Sequence, residues 1–179
     1  MDLLLHICCA PCSIYSWQYF EQQGYNIEGY FFNPNIHPYK EFERRKNALL
    51  SLMEEENRKV KLEGDYPLED FLTQAVKELD DRCRLCYTIR LKQTAVYARE
   101  QGIKNFSTTL LLSPYQNHEL LKEVGFKIAA EQEINFIYTD LRPGFKESIR
   151  RARESNIYVQ GYCGCVFSEK ERYYSRSKT

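Results

Sequence analysis

Leu3-Leu-Leu-His-Ile-Cys-Cys-Ala-Pro-Cys-Ser13 is the stretch on which the reading of the whole chain turns. Leu3 to Ile7 is an apolar run of the length of a buried strand. Three thiols follow within five residues, Cys8, Cys9 and Cys12. Pro11 stands where a helix can begin, because proline at the first helical position gives up only a donor that has no partner there. A strand that delivers its C-terminal end to a helix N-terminus is where open α/β sheets place their ligands. Thiols at such a place are activated, since the helix dipole favours thiolate over thiol. Free cysteine is also a small, readily buried residue, so the run taken alone fits a core strand. Against that stands the pairing of the other four cysteines, Cys83/Cys86 and Cys163/Cys165.

Outward from this stretch, the pattern predicts a helix from about Cys12 to Gln23 that stops at Gly24, then a strand over Tyr25 to Phe32. Asn33-Pro-Asn-Ile-His-Pro38 is a loop with little freedom, its prolines and asparagines fixing its course. Residues 39 to 57 read as a helix with a charged face of Lys40, Glu41, Glu43, Arg44, Arg45 and Lys46. Lys59 to Leu62 reads as a short strand, and Pro67 opens a helix with Glu69 and Asp70 in its first turn. Leu85, Ile89 and Val96 give the period of a helix from Cys83 to Gln101, with Asp81 as its cap. Asn105 to Leu112 is β-branched and apolar, hence a strand; Ser113 to Asn117 turns the chain into a helix reaching about Glu131. A strand over Asn135 to Thr139, the loop Asp140 to Gly144, a helix from Phe145 to Glu154 and a charged C-terminal helix complete the order.

Strands alternating with helices at this spacing predict an α/β fold: a single domain over residues 1–179 with a mostly parallel sheet flanked by helices, Rossmann-like or HUP-like. The loops at Cys8, Asn33, Ser113 and Asp140 then share one edge of the sheet, and the pairs at Cys83 and Cys163 have to be carried over that edge by the surrounding helices. Repeats and low-complexity segments are absent from the sequence.

Charge balances at 25 basic against 25 acidic residues, so no global field drives the chain onto nucleic acid or membrane. The apolar start spans only about five residues and no run approaches the roughly 18 of a membrane span. The expectation is a cytoplasmic protein without signal peptide or membrane segment. In a reducing cytosol, tightly grouped cysteines read as metal or redox chemistry and not as a disulfide framework.

Cys83-Arg-Leu-Cys86 has the spacing with which two thiolates at a helix start hold one metal centre, zinc or iron–sulfur. Cys8 and Cys9, as neighbours on a strand, point to opposite faces and suit a multi-iron cluster or two metals better than one tetrahedral zinc. Cys163-Gly-Cys165 is the reverse case, two residues on the same side of extended chain with a glycine between. The pair can clamp one iron or close into a strained, easily reduced disulfide. Seven thiols exceed the four of one structural zinc, so an iron–sulfur centre with a second thiol-dependent site is the economical reading.

The sequence resembles the QueH-type epoxyqueuosine reductases, cobalamin-independent enzymes that finish queuosine in tRNA. The matching motifs are His6-Ile-Cys-Cys-Ala-Pro-Cys12, Phe31-Phe-Asn-Pro-Asn-Ile-His-Pro38, Arg82-Cys-Arg-Leu-Cys-Tyr87, Thr108-Thr-Leu-Leu-Leu-Ser-Pro-Tyr-Gln116, Asp140-Leu-Arg142 and Gln160-Gly-Tyr-Cys-Gly-Cys-Val-Phe-Ser168. They span almost the whole chain; Gly161 departs from the larger residue expected of the family. The resemblance implies a 4Fe–4S cluster on Cys8, Cys9, Cys83 and Cys86 and a redox-active pair at Cys163 and Cys165. It also implies, in some members, a further mononuclear iron, for which Cys12 is the nearest spare ligand.

The implied reaction removes an epoxide oxygen as water and leaves an alkene, which takes two electrons and two protons. A 4Fe–4S cluster passes one electron at a time, so an adjacent iron or the Cys163/Cys165 dithiol is needed beside it, with an outside electron donor whose identity the sequence does not give. Asp140 is the first choice of proton donor, ahead of His37 and Tyr115, while His6 reads as a hydrogen-bonded core residue. The tRNA has to be met by a local patch. From Arg142 to Thr179 there are nine basic residues (Arg142, Lys146, Arg150, Arg151, Arg153, Lys170, Arg172, Arg176, Lys178) against four acids. Tyr115, Tyr158, Tyr162 and Tyr173 are the candidates for stacking on unpaired bases. Two rival readings share the thiols. A PP-loop tRNA-thiolating enzyme needs a glycine- and serine-rich phosphate loop where this chain has Cys-Cys-Ala-Pro-Cys-Ser; a non-catalytic zinc module for RNA is separated by its metal content.

Overall fold

In the computed structural model, which describes residues 1–174, the apolar run at the start of the chain becomes the central strand β1 (Asp2–His6). Leu3, Leu4, Leu5 and His6 are all fully buried. A strand apolar along its whole length needs cover on both faces, which only the middle of a helix-flanked parallel sheet supplies. β2 (Asn26–Phe31), β3 (Val60–Leu62), β4 (Asn105–Thr108) and β5 (Asn135–Phe136) complete it, all pairs parallel, in the order β3-β2-β1-β4-β5. The helices are α1 (Ala10–Gln22), α2 (Tyr39–Glu55), α3 (Leu68–Lys77), α4 (Arg82–Glu100), α5 (His118–Gln132), α6 (Phe145–Glu154) and α7 (Val166–Tyr173). Each buried leucine of β1 contributes about 1.5–3 kcal/mol by leaving water.

From β1 the chain proceeds to β2 on one side and later returns to β4 on the other. That reversal opens a crevice at the C-terminal ends of β1 and β4, the place where such sheets bind ligands. Cys8 to Cys12 leave β1 there, facing the turn that follows β4. α6 is locked to the first turn of α1: Ser148 Oγ donates to the carbonyl of Pro11 at 2.6 Å and accepts from the amide of Tyr15 at 3.1 Å. α5 packs tightly on β5 at Gly125, where a Cβ would stand 2.2 Å from the ring of Phe136.

Several expected boundaries shift for local reasons. α1 begins two residues earlier than expected, with Cys9 as its N-cap and Pro11 in its first turn. β4 ends at Thr108 instead of Leu112, because the Thr108 hydroxyl accepts from the amide of Leu110 and starts a 3-10 turn over Thr109–Leu112. β5 is only two residues long, against an expected strand to Thr139. Asp81 does precede α4 but makes no side-chain cap; its carboxylate accepts from Arg84 Nε at 2.8 Å. Arg45 and Glu41, read from the sequence as part of a charged helix face, are buried. Among the described residues no helix is long and apolar enough to cross a membrane.

Candidate metal and redox centre

Backbone pairing with β2 continues one residue past β1, the amide of Ile7 donating to the carbonyl of Tyr30 at 2.8 Å, and then stops. The amide of Cys8 instead donates to Thr109 Oγ1 at 3.0 Å. Cys9 is extended (φ −169°, ψ 159°) and Ala10 is already helical. Cys8 and Cys9 therefore sit in a strand-to-helix turn, and the opposite-face splay expected of strand neighbours does not occur. Their sulfurs are 3.7 Å apart. With Cys12, one turn into α1, they form a buried triad whose sulfurs all lie within 4.8 Å of one another, an arrangement able to hold a metal ion.

Cys83 and Cys86 lie in the opening turns of α4, while Cys163 and Cys165 lie in the segment that leads into α7, with Cys165 as its N-cap. Cys83 and Cys163 are exposed and Cys86 and Cys165 half-buried; desolvation first, and then the charges of Cys163 and Cys165, raise the pKa of Cys83 and Cys86. The short Cys163 segment is held by its backbone: Arg45 Nη1 and Nη2 donate to the carbonyls of Cys163 and Tyr162 at 2.8 and 3.0 Å, and the amide of His37 donates to the carbonyl of Gly164 at 2.8 Å. Gly164 has φ +154° and Asn35, Ile36 and Arg45 within 3.5 Å of where a Cβ would stand, so no other residue fits that clamp comfortably. The two cysteine groups are joined by Arg90, which is buried and bears on Cys86, Cys8 and Cys163 together.

Several of the sulfurs meet hydrogen-bond donors. Thr109 Oγ1 donates to Cys8 Sγ at 3.2 Å, Gln160 Nε2 to Cys9 Sγ at 2.9 Å, Gln116 Nε2 to Cys163 Sγ at 3.2 Å, and Arg90 Nη1 to Cys86 Sγ at 3.6 Å. Hydrogen bonds from Cys12 and Cys9 hold Cys8 well below the usual thiol range. Cys12 is driven up, first because its own proton is engaged by Cys8, while Cys9 is raised by burial and Cys86 is pushed up to about 12 by burial. Within the metal-free triad these shifts make Cys8 the first of the three thiols to ionise. Binding a cation changes this, because a metal takes thiols as thiolates and releases their protons.

Asp140 comes out differently from expectation. Its carboxylate accepts from the amide of Arg142 at 3.1 Å and from the Arg142 guanidinium at 2.7 and 2.5 Å. That pairing lowers its pKa to about 2, so as placed it is ionised at neutral pH and holds no proton to give. Nor does it cap α6, whose N-cap is Gly144. His6 is the core histidine foreseen, its ring nitrogens 2.9 Å from Thr108 Oγ1 and 3.2 Å from the carbonyl of Phe32. His37 is buried with neither ring nitrogen hydrogen-bonded, packed against Tyr66 and Phe71.

Of the stacking candidates, Tyr115 is 74% exposed and stands edge-on to Phe145, one residue before the glutamine that touches Cys163. Tyr158 and Tyr162 spend their hydroxyls on Glu41 and on the carbonyl of His37. Tyr173 is half-exposed against Tyr162, and a Cβ at Gly161 would stand 2.1 Å from its hydroxyl. The basic segment is less free than its composition: Arg142 is tied to Asp140, and Arg150 to Glu147 and Glu154. Arg176 and Lys178 lie outside the described residues. Sequence reasoning gave no role to Arg45, Arg90, Thr109, Gln116 or Gln160, although the last three fall inside the motifs quoted for the resemblance.

Fold and site together define a Rossmann-like α/β protein with a buried, metal-competent cysteine triad at its switch point. Residues 3–171 match the family described as Epoxyqueuosine reductase QueH, and the chain belongs to that family of oxidoreductases. The relative from Dehalococcoides mccartyi is 39% identical over 171 residues, covering 96% of this chain and 94% of its own. That from Thermotoga maritima is 35% identical over 180 residues, covering 95% and 91%, and that from Streptococcus pyogenes serotype M1 35% over 182 residues, covering 94% and 71%. All three bear the name Epoxyqueuosine reductase QueH. Among solved structures, a predicted subunit of tRNA methyltransferase from Methanocaldococcus jannaschii shares the fold, with a TM-score of 0.56 at 13% identity over 86% of this chain and 75% of its own.

Proposed function

We propose that this chain reduces epoxyqueuosine to queuosine at the wobble position of tRNA, in the cytosol, with electrons from an outside donor. The observation that carries the reading is the buried Cys8/Cys9/Cys12 triad at the ligand edge of the sheet, with the buried Arg90 guanidinium 3.6 Å from Cys86 Sγ beside it. The donor set fits an anionic thiolate-bound centre: soft ligands, buried positive charge from Arg90 and Arg45, and N–H and O–H donors aimed at sulfur. Cys8, Cys9, Cys83 and Cys86 would hold a 4Fe–4S cluster, and Cys12 with Cys163 and Cys165 would serve a second site. When bound, the cluster supplies single electrons, and a neighbouring iron would polarise an oxygen as a Lewis acid.

The chain's own residues supply the rest. Oxidation of the Cys163/Cys165 dithiol to a disulfide releases two electrons and two protons, the amount needed to expel one epoxide oxygen as water and leave the alkene. Cys163 is exposed at the surface of the site, where a second site has to be reached by substrate. Gln116, fixed through its carbonyl oxygen by the Tyr87 hydroxyl at 2.7 Å, orients that sulfur. For tRNA, exposed Tyr115 offers a stacking face beside the thiols, and α6 continues from it with Phe145 and Ile149 flanked by Lys146 and Arg153.

The test is anaerobic purification with iron, zinc and acid-labile sulfide analysis. The expected result is a brown protein with about four irons and four sulfides per chain for the cluster. A colourless protein with one zinc and no sulfide overturns the reading.

A further inference from the structure

Arg90 lies one turn after Cys86 on α4 and is 1% exposed. Its Nη2 donates to Asn33 Oδ1 at 2.8 Å, its Nη1 stands 3.6 Å from Cys86 Sγ, and its Nε has no partner. Asn33 is itself fixed, donating from Nδ2 to the carbonyl of Ile7 at 2.9 Å. The guanidinium is thereby pinned between α4, the loop after β2 and the exit of β1. Arg45, the other buried arginine, has a carboxylate partner, Glu41, at 2.7 Å. Arg90 forms no ion pair with a carboxylate among the described residues.

This is an expensive arrangement as it stands. A guanidinium does not escape burial by losing its proton. Several kcal/mol is the usual cost of taking such a charge out of water unpaired. Cys86 Sγ stands against Arg90 at 3.6 Å, Cys8 and Cys163 lie within its electrostatic reach, and the one other titratable group that feels its charge, His6, is buried and neutral. Its charge is balanced only when thiols around it are ionised, which is the state a bound metal enforces.

We propose that Arg90 is the fixed counter-charge of the thiol centre, a positioning residue that holds its thiolates and eases its uptake of an electron. The inference rests on the redox reading above. One electron taken up adds one negative charge to the centre, and a positive charge held in a low-dielectric interior stabilises the reduced form over the oxidised one. Asn33 aims the guanidinium and leaves its charge undiminished.

The test uses anaerobically reconstituted protein with two readouts, the midpoint potential by mediated dithionite titration and metal retention against a chelator. Arg90→Gln should be at least tenfold harder to reduce, a downward shift of about 59 mV or more for one electron, and should release metal faster. Arg90→Lys should stay close to the unsubstituted protein in both. Equal potential and equal retention in Arg90→Gln overturn the proposal. Loading that fails in Arg90→Gln but succeeds in Arg90→Lys supports it, because charge and not shape is then what matters. If neither loads, Asn33→Asp decides: a carboxylate beside the intact guanidinium should lower the potential, and an unchanged value refutes the counter-charge. The unsubstituted protein is analysed first. Zinc without sulfide there ends the iron–sulfur reading, while zinc retention in Arg90→Gln against Arg90→Lys still decides the role of Arg90.

Discussion

Glu41→Ala isolates the device that holds the Cys163 segment. Glu41 accepts from Arg45 Nε at 2.7 Å and from the Tyr158 hydroxyl at 2.8 Å, and Arg45 in turn carries the carbonyls of Tyr162 and Cys163. Removing the carboxylate leaves a guanidinium that is 1% exposed without its ion partner. Breaking a buried pair from one side costs about 3–5 kcal/mol. Against the roughly 5–15 kcal/mol of a typical domain that is a large fraction, and for a chain of this length it lowers Tm by about 10 °C. Urea unfolding of the metal-free, reduced protein measures it. Removing both charges in Glu41→Ala/Arg45→Met should be less damaging than Glu41→Ala alone, because no orphaned cation remains. Limited proteolysis should also cut the segment around Tyr158–Cys165 faster in the single variant. A loss under about 1 kcal/mol, with the double variant no better than the single, would show that the pair does not hold the segment.

Further expectations follow from other parts of the structure. Burial holds His6 at a pKa of about 3, while the unfolded chain has the ordinary value near 6.5. As pH falls below about 6.5 the unfolded state takes up the proton first, so stability of the metal-free protein declines toward pH 3 by up to about 1.4 kcal/mol per unit. Urea titrations at pH 7 and 5 should show a drop of about 2 kcal/mol that His6→Gln lacks; the same drop in both proteins contradicts the assignment. Gly125→Ala should cost about 1–3 kcal/mol by pressing on Phe136, and a neutral result would mean that α5 can back away. Alanine at Cys8, Cys9, Cys83 or Cys86 should strip most iron and sulfide, whereas alanine at Cys163 or Cys165 should spare the cluster spectrum and stop turnover. Loss of the cluster in Cys163→Ala would show that the thiols are divided wrongly. In Cys12→Ala, loss of one iron with sulfide retained supports a second iron, and full activity supports the dithiol.

The sheet was legible because its signal is a long-range one carried by short runs. Leu3 to Ile7 has no polar face to offer solvent, and β–α alternation at this spacing leaves only a parallel sheet. Boundaries were lost where one side chain outbid propensity, as when Thr108 capped its own 3-10 turn and ended a strand that Leu110 to Leu112 would otherwise have extended. The cysteines announced the site, but the closeness of Cys8 and Cys9 depends on a helix that starts two residues early, which strand geometry misjudged. Arg45 and Arg90 were invisible for a different reason. On a helix, an arginine facing solvent and one facing a buried cluster have the same sequence signature, and only the fold tells them apart. Asp140 looked like a free acid because nothing in the sequence shows that Arg142 turns back onto it.

Turnover on the nucleoside itself is the most direct measurement. Protein loaded with iron and sulfide is incubated anaerobically with dithionite and tRNA bearing epoxyqueuosine, and the digested nucleosides are resolved by mass spectrometry. The expected result is loss of one oxygen from the modified nucleoside to give queuosine, dependent on both the loaded centre and Cys163. Loaded protein that binds this tRNA yet leaves the epoxide intact, or conversion that proceeds equally well in metal-free Cys163→Ala, would contradict it.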